Sequence, residues 1–72
     1  MSDYEKAVLA AIAKGPEYVG WYTIERRLSM VSLPVVGKLQ TALEHLLKAG
    51  FIEESVSDPE TYRTTSSGLG AL

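Results

Sequence analysis

Cysteine is absent from the sequence and histidine occurs once, as His45. Without thiols there is no disulfide and no thiolate zinc site. No second imidazole, and no carboxylate at a suitable spacing, joins His45 to make a metal site, so no cofactor is expected. No apolar run approaches the roughly 20 residues of a membrane span. The start, Met1-Ser2-Asp3-Tyr4-Glu5, is acidic and lacks the basic opening of a secretory signal. These absences point to a cytoplasmic protein with no membrane partner.

Catalytic constellations are missing too. A serine nucleophile needs a histidine base and an orienting acid, and nothing in the pattern supplies them. Gly68-x-Gly70 has neither the lysine nor the strand-to-helix context of a phosphate loop. An enzyme is not expected, and a chain this small leaves little room to enclose a substrate pocket of several hundred Å³.

Positive charge is also in short supply. Seven Lys and Arg face nine Asp and Glu, for a net charge of −2. That weighs against nucleic-acid binding, where phosphate contacts supply most of the affinity. The cations are not evenly spread, however. Arg26, Arg27, Lys38 and Lys48 stand against Glu25 and Glu44 in residues 21–50, the only basic third. Residues 51–72 hold Glu53, Glu54, Asp58 and Glu60 against Arg63 alone.

What is present is a hydrophobic fraction of 46% in 72 residues, enough for one small globular domain over 1–72. A chain this short buries only about 60% of its unfolded surface. Packing or oligomerisation has to supply what disulfides do not.

Ser2-Asp3-Tyr4-Glu5 fits a capping box. Val8, Leu9 and Ile12 then share one helical face, and Gly15-Pro16 is a stop, which gives a first helix over about 3–14. Glu17–Gly20 reads as a loop or a very short strand. Trp21, Ile24, Leu28 and Val31 form the stripe of a second helix over about 21–30. Trp21 is expected in the core. Tyr4 and Tyr18 are expected either to pack or to mark an exposed partner surface.

Ser32 is a candidate N-cap and Pro34 is tolerated in a first turn. A third helix over about 33–49 follows. Taking Val36, Leu39, Leu43 and Leu47 as its buried face sends Pro34, Lys38, Thr41 and His45 outward, with Gly37 and Lys48 at the flank. Gly50 fits a left-handed helix cap with Phe51 packing back in a Schellman motif. Residues 51–56 and 61–65 read as two strands of a hairpin. Pro59 suits the second position of a type I turn between them. Residues 66–72 are weakly helical at best.

The order of these elements resembles the winged helix-turn-helix fold. The likeness rests on residues 21–28, on Leu39–Ile52 and on Tyr62–Gly68. Leu43-x-x-Leu46-x-x-x-Gly50-Phe51-Ile52 is similar to the end of a winged-helix recognition helix. Tyr62-Arg63-Thr64-Thr65-Ser66-Ser67-Gly68 is similar to the "Y-x-[apolar]-T-x-x-G" ending of PadR-like and MarR-like transcriptional regulators. Here Thr64 takes the usual apolar place. The resemblance implies an α+β fold of three helices with a C-terminal two-stranded β-hairpin wing. It also implies a homodimeric transcription regulator bound to double-stranded DNA. In PadR-like proteins a long C-terminal dimerisation helix follows this ending, and residues up to Leu72 hold none.

On that reading, Ser32, Pro34, Gly37, Lys38, Thr41 and His45 approach the major groove. Gly37 would let the backbone come close. Arg26 and Arg27 meet phosphates, and Arg63 is the wing's cation. The alternatives are a solvated helix face and surface ion pairing. The wing otherwise carries four carboxylates that would repel a duplex. A winged-helix module or assembly subunit that binds protein through the acidic wing, and not DNA, is the competing expectation.

Overall fold

The structure is a computed structural model and describes residues 1–29 and 39–72. Ser32, Pro34, Gly37 and Lys38, together with the expected third-helix residues 33–38, lie outside the described residues.

Helix α1 (Asp3–Ile12) begins with the expected capping box. The Glu5 N–H donates to Ser2 Oγ, and the Ser2 N–H donates to Glu5 Oε1, both at 3.1 Å. The helix ends two residues before the expected 14, where the Ala13 N–H closes on the Leu9 carbonyl. The short strand β1 (Val19–Gly20) leads into α2 (Trp21–Ser29). Helix α3 (Leu39–Ala49) runs to the corner at Gly50.

That corner is a Schellman motif. The Gly50 N–H donates to the Leu47 carbonyl at 3.1 Å and the Phe51 N–H to the Leu46 carbonyl at 3.0 Å. Gly50 has φ +80°, a conformation open to glycine at little steric cost. Phe51 packs half-buried against the core. The helix therefore stops and re-aims the chain within two residues.

Strand β2 (Ile52–Glu54) returns as β3 (Thr61–Thr64), with Glu53 opposite Arg63. The expected strand to residue 56 is cut short. The Ser55 N–H still donates across to the Thr61 carbonyl at 3.0 Å, and Ser55 Oγ accepts the Asp58 N–H at 3.2 Å, a local bond that closes the chain into a turn beyond it. Glu60 has φ 71°. A positive φ after Pro59 does not fit the expected type I turn, whose third residue has a negative φ. A bond from the Glu60 N–H to Glu54 Oε2 at 2.8 Å holds it there.

The sheet is more than a hairpin. Strand β1 pairs antiparallel with β3, Val19 against Tyr62 and Gly20 against Thr61. The order is β1-β3-β2, so the last strand lies in the middle. The molecule is thus α+β with a small three-stranded antiparallel sheet. To the expected three helices and two-stranded hairpin the structure adds β1, which the sequence left open as loop or short strand, and one further helix. The extra helix, α4 (Ser66–Gly70), begins at Thr65. Thr65 Oγ1 accepts the Gly68 N–H at 3.1 Å and donates to the Gly50 carbonyl at 2.6 Å. One hydroxyl ties the end of α3 to the start of α4.

Among the described residues the core is one cluster of α1 (Val8, Leu9, Ala11, Ile12), α2 (Ile24, Leu28), α3 (Leu39, Ala42, Leu43, Leu46) and the sheet (Val19, Ile52, Tyr62). Trp21 is not in it. It is the first residue of α2 and 36% exposed, because that end of the stripe opens onto the space between α3 and the hairpin. Of the two outcomes expected for Tyr4 and Tyr18, both residues take the packed one. Tyr4 packs half-buried on the core, and Tyr18 lies under the Arg63 guanidinium at 4.6 Å.

Thr64 Oγ1 is buried with no hydrogen-bond partner among the described residues. An unpaired buried hydroxyl costs about 1–3 kcal/mol. Thr64→Val keeps the shape and removes the polar atom. It is expected to raise the thermal midpoint, by roughly 1 kcal/mol of stability. A midpoint that falls in a thermal melt would show that the hydroxyl has a partner after all.

Candidate nucleic-acid interface

The buried residues of α3 are Leu39, Ala42, Leu43 and Leu46, while Leu47 is only half-buried. At about 100° per residue this turns the helix away from the expected stripe of Val36, Leu39, Leu43 and Leu47. The outward face among the described residues is then Thr41, Glu44 and Lys48, all exposed. Thr41 keeps its expected place. Lys48 moves from flank to centre, and Glu44 joins it. Ala42 is the reason: a small apolar side chain shifts the buried arc toward itself.

His45 moves to the flank. Its Nδ1 lies 2.6 Å from Glu5 Oε2, linking α3 to the start of α1. The same Glu5 carboxylate holds the capping box. The bond from His45 and the Ser2 backbone bond hold the Glu5 carboxyl below its ordinary value. A carboxyl lowered in the folded state adds stability above its unfolded value and loses it as pH falls through the folded value. Thermal midpoints measured between about pH 6 and pH 3 are expected to drop below the ordinary glutamate range near 4.3, and less steeply in Glu5→Gln. An acid limb unchanged in that variant would show that Glu5 contributes nothing to it.

The two adjacent arginines of α2 do different things. Arg26 is exposed, with its guanidinium 6.0 Å from the Tyr22 ring centre. Arg27 turns inward. Its Nη1 donates to the Ala11 carbonyl at 2.8 Å, and its Nη2 reaches Glu17 Oε1 at 3.5 Å. A cation at the C-terminal end of α1 meets the free carbonyls and the negative pole of that helix. Arg27, expected at a phosphate, thus links α1 and α2 within the chain.

Arg63 is committed in the same way. Its Nε donates to Glu53 Oε1 at 2.9 Å, Nη2 reaches the same oxygen, and Tyr18 covers one face. The bond to Glu53 raises its already high pKa. Of the expected contact residues that the structure describes, Arg26 and Thr41 stand open. Arg27, His45 and Arg63 are held by intramolecular partners. Lys48 has a larger place on the outer face than leucine spacing suggests, and the one signal for it in the sequence is Ala42.

No helix among the described residues is long and apolar enough to cross a membrane. Comparison with protein families, with curated proteins and with solved structures finds no match.

Proposed function

We propose that the chain is a winged-helix domain that binds duplex DNA, as a homodimeric transcription regulator, through the outward face of α3. The observation that carries this reading is the arrangement itself. A helix with a polar outer face runs through the Gly50 corner into a hairpin whose second strand pairs back with β1, in the order β1-β3-β2. This is the connection by which a winged helix sets its third helix and its wing side by side. On this reading Thr41 meets a base edge or methyl group. Lys48 and Arg26 then meet phosphate.

Thr41→Ala is expected to weaken binding to a specific site with little effect on other sequences. Arg26→Ala and Lys48→Ala are expected to weaken all sequences alike and each to lower the salt slope by about 1. Arg27→Ala behaves differently: it lowers the melting midpoint and leaves the slope unchanged. The measurement is a salt-dependent duplex titration with a native mass determination. Absence of binding even near 50 mM salt, where electrostatic attraction is strongest, would sink this reading.

A second reading has its own observation. Arg27 and Arg63 are both consumed within the chain, and the hairpin tip keeps Asp58 and Glu60 exposed. Such a surface favours a basic protein partner over a phosphate backbone. Removal of charge by Glu60→Gln separates the two. It strengthens duplex binding if the tip lies near DNA, and it weakens a protein complex if that is the occupant.

A further inference from the structure

Between the start of α2, the side of α3 and the hairpin lies an open cleft of about 570 Å³. The size of the chain alone does not suggest such a space, yet its volume lies within the range of small-ligand sites. Trp21 stands at its rim, Leu43 and Leu47 line the α3 side with Gln40, whose Nε2 donates to Glu44 Oε1 at 3.0 Å, and Glu44, Glu54, Glu60 and Tyr62 complete it.

Three features of this cleft belong together. First, it holds three carboxylates and no lysine or arginine. Among the described residues none of the three has a cation within ion-pair distance, in contrast to Glu17 and Glu53. Second, the Trp21 ring is partly exposed there, and indole is the best aromatic face for a cation. Third, Tyr62 lines the cleft although little of the residue is exposed, and its hydroxyl lies beside the Trp21 indole. Burial raises the Tyr62 phenol above its ordinary value, with Glu54, Glu60 and Glu44 adding to the rise and the Trp21 indole opposing it. All three carboxylates therefore act on the same phenol oxygen. Indole N–H can only donate, so Trp21 does not take up the phenol's proton.

We propose that this cleft binds a guanidinium group, stacked on Trp21 and bonded to Glu44, Glu54 and Glu60 beside the Tyr62 hydroxyl. Several separated carboxylates and one flat ring select a planar cation with five donors over a compact ammonium. The inference goes beyond DNA binding and stands whether or not a duplex is bound. The guanidinium can come from a free small molecule or from an arginine of a peptide chain.

Trp21 is the only tryptophan, so its fluorescence reports occupancy. The experiment titrates the whole chain with N-acetylarginine amide, with its neutral isostere N-acetylcitrulline amide, and with a five-residue peptide carrying one central arginine among alanines. Backbone and indole NMR shifts of the unmodified chain locate the site. A saturable change centred on Trp21, Glu54 and Tyr62 is expected with the arginine probes and not with citrulline. Glu54→Gln and Glu60→Gln are each expected to weaken binding about two- to fivefold. Trp21→Leu is expected to weaken it about threefold or more. Tighter binding of the peptide marks a protein side chain as the source, and equal binding marks the free small molecule. Equal response to citrulline, or shifts centred away from the cleft in the unmodified chain, would overturn the assignment. Because these shifts are read on the unmodified chain, the outcome is decided even if a variant misfolds.

Discussion

Gly68→Ala lowers stability by about 3 kcal/mol or more, at the upper end of what overfilling a packed site costs. Gly68 is buried in α4. A Cβ there would fall on the Phe51 backbone carbonyl and within 2.7 Å of Thr64 Cγ2. Neither neighbour can yield. Phe51 O accepts the Thr65 N–H at 3.0 Å, and Thr64 is the last residue of β3. To admit a methyl group, α4 must lift off and break the Thr65 bonds to Phe51 and Gly50. A 72-residue domain has only about 4–11 kcal/mol in total, so partial unfolding at room temperature is a reachable outcome. Gly70→Ala is the control, since its Cβ meets nothing within 4 Å. It is expected to be neutral, or stabilising by up to about 1 kcal/mol through helix propensity. Chemical denaturation of both variants decides. Equal midpoints would mean that α4 does not dock where the structure puts it.

The same glycine explains what was legible in the sequence and what was not. Features set by neighbours in the chain could be read directly. Ser2 and Glu5 specify a capping box within a single turn, and Ala49-Gly50-Phe51 specifies a Schellman stop. Features set by residues far apart could not. Gly68 reads as a helix breaker, because propensity counts its backbone freedom. Its actual role is to let two backbones touch across the fold. Strand β1 is two residues long and exists only because β3 returns to pair with it. Its own composition leaves loop and strand undecided.

The candidate site follows the same division. That α3 has a polar outer face was legible from the spacing of its leucines. Which arginines remain free was not, since adjacent Arg26 and Arg27 have the same chemistry. One faces solvent, and the other reaches a carbonyl 16 positions away. The acidic character of the hairpin was visible in composition. Its meeting with Trp21 and Glu44 in one cleft depended on the tertiary arrangement.

Leu46→Ala and Leu47→Ala test that arrangement at its centre. The stripe read from spacing puts Leu47 among the buried residues of α3, with Leu46 beside it. The structure puts Leu46 at 2% exposure in the core, with Ala42 and Leu43, and leaves Leu47 half-buried at the edge of the cleft. Removing Leu46 empties a site enclosed by the core cluster, so Leu46→Ala is expected to cost about 2–5 kcal/mol. Leu47→Ala removes a side chain that water already reaches. Its cost is expected at about 1–2 kcal/mol, from the partial transfer loss alone. The Schellman bond from Phe51 to the Leu46 carbonyl is a backbone contact that both variants keep, so the comparison isolates side-chain burial. Urea midpoints of the two variants order them directly. If Leu47→Ala proved the more damaging, α3 would be rotated toward the stripe read from spacing. Thr41 and His45 would then share its outer face, and Lys48 would return to the flank.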